Sequence, residues 1–169
     1  MQTAMDFRTA ALSQGCSFTA QISAHLNEGT ADFTLSCVCA PDGSTSLEVK
    51  APDAISGIHA TVKPGGTQAS FDDVALDFGL LSDAEVPPMA LPQLLFDCWT
   101  QGYIQEAGQD GDLLTAVYTT DYGGKELKLE QWFSRDAVPL SGDFWFDIEN
   151  IATVEISNFS LGTSSQAVS

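Results

Sequence analysis

Cys16–Cys39 reads CSFTAQISAHLNEGTADFTLSCVC, and this stretch decides the fold. Phe18, Ala20, Ile22 and Ala24 alternate with Ser17, Thr19, Gln21 and Ser23, the period of a strand with one buried face. Asn27-Glu28-Gly29 supplies turn residues, and Phe33, Leu35 and Cys37 then alternate with Asp32, Thr34 and Ser36. Two such runs around a short turn form an antiparallel hairpin. If the chain turns tightly at Asn27-Glu28, residues whose numbers sum to 55 face one another. Cys16 then stands across from Cys39, and Phe18 from Cys37. A slip of one residue would send the two cysteines to opposite faces.

The same period continues outward. Leu47 and Val49 belong to one strand, and Ile58, Ala60 and Val62 to the next, stopped by Pro64-Gly65-Gly66. Phe71 closes a short strand before Asp72-Asp73, and Val74, Leu76 and Phe78 alternate after it. Further strands are expected at Tyr103-Ile104, Leu113–Tyr118, Leu127–Phe133, Phe144–Phe146 and Val154–Phe159. Two segments break the period. Near the N-terminus, Asp6 can cap a short helix with Phe7, Ala10, Ala11 and Leu12 on one face and Gly15 as its stop. After Val86-Pro87-Pro88, the residues Leu91, Leu94, Leu95, Cys98 and Trp99 recur at helical spacing, with Pro92 in the first turn and Gly102 at the end. Strands in sequence joined by short turns cannot make parallel crossovers, and so large a sheet must curl. The expected fold is α+β: a curved antiparallel half-barrel of about ten strands, with the 91–101 helix covering the concave face. Residues 1–169 make a single domain with a frayed tail from about 162.

Composition narrows the partners. The 169 residues carry 23 Asp and Glu against 6 Lys and Arg, a net charge of −17. The cations Arg8, Lys50, Lys63, Lys125, Lys128 and Arg135 are scattered, so neither nucleic-acid phosphates nor an anionic membrane surface is favoured. No apolar run is long enough to span a bilayer. Met1–Asp6 lacks the basic and apolar regions of a signal peptide.

Candidate chemistry is sparse. Cys37-Val38-Cys39 has the wrong spacing for a zinc or redox motif, and His25 and His59 sit in strand-like alternation, so no metal site is expected. No G-x-S-x-G elbow or phosphate-binding glycine loop occurs. The acidic pairs Asp72-Asp73 and Asp110-Gly111-Asp112 fall in turns, where aspartate serves the backbone. No catalytic residue and no cofactor are therefore assigned, although a carboxylate-dependent hydrolase stays open as an alternative. Phe144-Trp145-Phe146 cannot point three rings to one side of a strand, so either the strand is buried on both faces or a ring such as Trp145 is exposed or lines a cavity.

The order of parts resembles a known family. A short helix precedes Phe18-Thr19-Ala20-Gln21-Ile22 and Phe33-Thr34-Leu35. Ala51-Pro52 leads to Ile55-Ser56-Gly57-Ile58, and Leu76-Asp77-Phe78-Gly79 precedes Val86-Pro87-Pro88 and a helix. Val154-Glu155-Ile156-Ser157-Asn158-Phe159 ends the pattern. Over roughly residues 6 to 160 this resembles bacterial extracytoplasmic lipoproteins of the LolA/LolB-like lipoprotein-carrier fold. That resemblance implies an unclosed barrel with an apolar cavity, export, and a lipid anchor upstream of this chain. The carrier's basic and aromatic gating residues have no clear match, so lipoprotein trafficking is not implied. The expected function is binding of an apolar small molecule or lipid, or an acylated peptide, by a monomer. Its candidate ligand-binding residues are Leu91, Leu94, Leu95, Cys98, Trp99 and Trp145. The alternative is a structural or protein-interaction lipoprotein with a filled core. Export would also favour a disulfide between Cys16 and Cys39.

Overall fold

The computed structural model describes residues 2–26, 29–41, 44–51, 53, 56–57, 59–62, 69–71, 91–122, 125–146 and 149–162. The chain runs α1 (Gln2–Gln14), β1 (Cys16–Leu26), β2 (Gly29–Cys39), β3 (Thr45–Ala51), β4 (His59–Val62), β5 (Ala69–Phe71), α2 (Leu91–Gln101), β6 (Tyr103–Asp110), β7 (Leu113–Tyr122), β8 (Lys125–Phe133), β9 (Pro139–Phe146) and β10 (Glu149–Leu161). These strands join one sheet in the order β5-β4-β3-β2-β1-β10-β9-β8-β7-β6, and every neighbouring pair is antiparallel. The sheet is open, with β5 and β6 at its edges among the described residues. The strand read around Val74, Leu76 and Phe78, the Asp72-Asp73 turn and Val86-Pro87-Pro88 lie outside the described residues.

The founding hairpin has the register that its alternation dictates. Cys16 pairs with Cys39, Phe18 with Cys37, Ile22 with Phe33 and Leu26 with Gly29. Phe18, Ala20, Ile22, Ala24, Leu35 and Cys37 are all buried on one face. That face carries both helices. Trp99 of α2 touches Phe18 of β1 (centroids 5.6 Å apart) and Phe159 of β10 (6.2 Å), and its indole N–H donates to Gln131 of β8 at 2.9 Å. In a flat sheet β1 and β8, three strand spacings apart, would be separated by about 14 Å. One indole bridges them because the sheet wraps around α2.

One feature departs from the sequence reading, and another departs from strict strand alternation. Asp6 does not cap α1: the helix begins at Gln2, and Asp6 lies inside it, accepting a hydrogen bond from Gln2 Nε2 at 2.7 Å. Its buried face is Ala4, Phe7 and Ala11, while Leu12 is exposed. The cause is that Asp6 shares a helical turn with Gln2 and can be satisfied by an i, i+4 side-chain bond as readily as by a backbone amide. In β10, Ile156 and Phe159 both approach the core although three residues apart. The ladder to β1 shifts between Ser17 and Thr19, and Asn158 adopts a left-handed φ of 54°. This bulge re-aims the ring of Phe159 onto Phe7, Phe18 and Trp99.

Candidate functional site

Helix α2 was expected to bury one apolar stripe. It buries every residue from Leu91 to Thr100, including Gln93 and Asp97. Leu91, Leu94, Leu95, Cys98 and Trp99 are at most 1% exposed. Gln93 Nε2 donates to Asp97 Oδ1 at 2.7 Å one turn on, and Thr100 Oγ1 donates to the Phe96 carbonyl at 2.8 Å, so these polar residues bond to each other and to the helix backbone. The rings of Phe7, Phe18 and Phe159 close around Trp99 with centroids 5.2, 5.6 and 6.2 Å away, all three edge-on. Edge-to-face contacts at such spacing suit the ring quadrupoles.

Two polar side chains hold this packing in place, and neither carries a local sequence signal. Gln131 lies in the inward row of β8 between Leu129 and Phe133 and is 1% exposed. Its Oε1 accepts from Trp99, and its Nε2 donates to the carbonyls of Trp132 at 2.9 Å and Ser141 at 2.8 Å. Arg8 of α1 reaches the C-terminal end of α2. Its Nε donates to the Trp99 carbonyl at 2.9 Å, and a terminal nitrogen donates to the carbonyls of Cys98 (3.2 Å) and Gly102. The last carbonyls of a helix have no partner within it and sit at the negative end of its dipole. A guanidinium answers both needs. A Cβ on Gly102 would come within 2.8 Å of the Cys98 carbonyl oxygen, so glycine is needed where α2 turns into β6. The Arg8 guanidinium also lies over Tyr118, with Cζ 6.0 Å from the ring centroid. Burial pushes the Tyr118 phenol and the Cys98 thiol well above their usual ranges, and Arg8 opposes the shift in both.

Trp145 stands apart from the other five expected ligand residues. In β9 the burial alternates, with Gly142, Phe144 and Phe146 inward and Ser141, Asp143 and Trp145 outward. Trp145 therefore lies on the face opposite α2. The structure brings Leu91, Leu94, Leu95, Cys98 and Trp99 together and leaves Trp145 behind the sheet.

That outer face has a geometry of its own. Cross-strand pairing sets Glu106, Val117, Glu130 and Asp143 in one row from β6 to β9. The next row runs Gly108, Thr115, Trp132 and Ser141. Small residues in the second row leave a groove of about 330 Å³ between Trp132 and the carboxylates Glu106, Asp110 and Glu130. It adjoins a second groove of about 250 Å³ lined by Glu106, Val117, Lys128, Glu130 and Trp145. Trp132 Nε1 donates to Asp110 Oδ2 at 3.4 Å, and Thr153 Oγ1 donates to Asp143 Oδ1 at 2.8 Å. Glu130 and Asp143 are directly opposed, an arrangement that repels. Of the other acidic candidates, Asp110 and Asp112 flank the left-handed Gly111 in the exposed β6–β7 turn. His59 is exposed on β4, and His25 Nε2 lies 3.0 Å from Asn150 Oδ1, linking β1 to β10.

No protein-family model matches the chain, and no curated protein matches it. Solved structures align with most of its length. A conserved protein of Thermus thermophilus, described as uncharacterized, aligns over 99% of this chain and 92% of its own, with 11% identity and a TM-score of 0.49. A DUF1329 family protein from Desulfovibrio piger aligns over 95% and 90%, with 11% identity and a TM-score of 0.46. A LolA superfamily protein from Nitrosomonas europaea aligns over 95% and 94%, with 8% identity and a TM-score of 0.42. At these identities nothing about activity passes from them to this chain.

Proposed function

We propose that this chain is a non-catalytic binding domain that keeps the space beneath α2 closed and meets a cationic partner on the outer face of β6–β9. The observation that carries this reading is the groove beside Trp132, whose described lining holds three carboxylates and no Lys or Arg. Carboxylates supply charge-assisted hydrogen bonds, and an indole face attracts a cation. Glu130 facing Asp143 is a repulsion that a bound cation would relieve. The burial of α2 from Leu91 to Thr100 supports the same division of labour, and the inner face keeps a groove of about 280 Å³ at its edge, between Thr3 and Ala4 of α1 and Ala107, Leu114, Ala116 and Phe133 of the sheet. The resemblance to exported lipoproteins adds an extracytoplasmic location and an upstream anchor to the proposal.

The test is a titration with tetralysine at about 0.15 M salt, where diffuse attraction is largely screened, followed by tryptophan fluorescence. Glu106→Gln with Glu130→Gln is expected to weaken binding about tenfold, equivalent to about 1.4 kcal/mol. Asp53→Asn with Asp136→Asn removes the same charge from exposed sites away from the groove and should leave the affinity nearly unchanged. Equal loss in both variants would mean that only net charge attracts the peptide.

A second reading places an acyl chain beneath α2, and one observation favours it. The Tyr118 hydroxyl is buried without a hydrogen-bond partner among the described residues, on the ring that Arg8 overlies. A carboxylate head group could use both. With a filled interior, Leu95→Trp should cost about 1–3 kcal/mol by overpacking, and the wild type should bind no fluorescent fatty acid. Probe binding that Leu95→Trp abolishes without loss of stability would establish the acyl-chain reading instead.

A further inference from the structure

Four cysteines are buried in this chain, and three of them, Cys16, Cys37 and Cys39, lie on the inward face of one hairpin. Cys16 is the first residue of β1 and Cys39 the last of β2, and the ladder pairs them directly. Directly opposed residues of an antiparallel pair have Cα atoms about 4.5–5.5 Å apart. A disulfide needs about 4.4–6.8 Å. Thr45 Oγ1 donates to Cys39 Sγ at 3.5 Å from β3. Cys37 faces Phe18 across the ladder, and Cys98 belongs to α2, so neither has a directly opposed cysteine in the hairpin.

We infer that Cys16 and Cys39 are a cross-linking pair that closes a disulfide between β1 and β2 before the hairpin is buried. The oxidant is a disulfide, either a small-molecule one or that of a thiol oxidoreductase. One thiolate attacks it and forms a mixed disulfide. The second thiolate then displaces the oxidant's remaining sulfur as a thiol. The S–S bond formed in the protein replaces the S–S bond broken in the oxidant. Two electrons pass to the oxidant, and the two protons lost by the cysteines end on its thiols. The order of events follows from burial. Exchange needs a thiolate. In the folded chain both cysteines are fully buried, and the neighbouring Cys39 together with burial pushes the Cys16 thiol well above its usual range. The reaction therefore belongs to the unfolded or folding chain, and the finished bond is shielded from reductants in the same way. It fastens the register on which the inward face of β1 and β2 depends, independently of what the domain binds.

The experiment starts from the full chain, reduced and unfolded in urea, then refolded with oxidised glutathione. Free thiols are counted after denaturation without reductant, and the bridge is mapped by non-reducing peptide mass spectrometry. Two free thiols, Cys37 and Cys98, and a Cys16–Cys39 peptide are expected. Four free thiols, or a bridge that uses Cys37, would overturn the inference. Cys37→Ala should still form the bridge and Cys16→Ala should form none. Cys37→Ala keeps the test decisive if Cys16→Ala does not fold. Oxidised glutathione added to the folded, reduced protein should leave all four thiols intact over the time in which refolding yields the bridge. Rapid loss there would refute the assigned order. The bridged protein should also have a higher urea midpoint than the reduced one, and an equal or lower midpoint would contradict a role in fastening the register.

Discussion

Trp99→Ala is expected to destabilise the domain by about 3–5 kcal/mol, the range for removing a large buried aromatic side chain. Trp99 is wholly buried, and four elements converge on it: Phe7 of α1, Phe18 of β1, Phe159 of β10 and Gln131 of β8. Truncation empties the centre of that arrangement. It also leaves the Gln131 carbonyl oxygen without its donor in a site closed to water, a loss that adds to the cavity. Because natural domains hold only about 5–15 kcal/mol in total, the variant should be close to unfolding at physiological temperature. The urea midpoint measures the change. Leu12→Ala, on the exposed side of α1, is the matched control and should stay within about 0.5 kcal/mol of the wild type. A Trp99→Ala cost near that of Leu12→Ala would mean that the rings around Trp99 do not form one packed centre.

Arg8→Met is expected to cost about 2–3 kcal/mol, since hydrogen bonds to charged groups contribute about 1.5–3 kcal/mol and buried acceptors left unpaired are costly. Methionine keeps an apolar stem against α2 and deletes the guanidinium alone. The carbonyls of Cys98, Trp99 and Gly102 then lose a shared charged donor. Arg8→Lys should recover only part, because an ammonium cannot spread two arms over neighbouring carbonyls. Hydrogen exchange locates the effect. The amides at the end of α2, including Gly102, should exchange faster in Arg8→Met, while those in the centre of β1 should follow global stability alone. Unchanged protection at Gly102 would contradict the capping role.

What was legible in the sequence divides along a physical line. The β1–β2 register, the extent of α2 and the antiparallel sheet come from local periodicity, which depends only on near neighbours in the chain. The same periodicity placed Leu91, Leu94, Leu95, Cys98 and Trp99 together. It could not say that the opposite face of α2 is also buried, because the polar Gln93 and Asp97 add nothing to an apolar stripe and are buried as a hydrogen-bonded pair. Arg8 and Gln131 were missed for a related reason. Arg8 acts on carbonyls about ninety residues away, and Gln131 is a polar interruption of an apolar row until Trp99 arrives beside it. Trp145 was ambiguous in Phe144-Trp145-Phe146 because alternation fixes that neighbours oppose each other but not which of them points inward. The pairing with β8 and β10 resolves it. The groove beside Trp132 needed cross-strand register to exist at all, since Glu106, Asp110 and Glu130 come together only through β6, β7 and β8.

The closed space beneath α2 is the centre of this account, and native mass spectrometry of the protein purified from its own host tests it most directly. A helix buried on every side, with Trp99 enclosed by rings, predicts the mass of the protein without a non-covalent passenger. A lipid-sized adduct that stays with the folded protein and is released on unfolding would show that the space beneath α2 is shared with a ligand, and would contradict it.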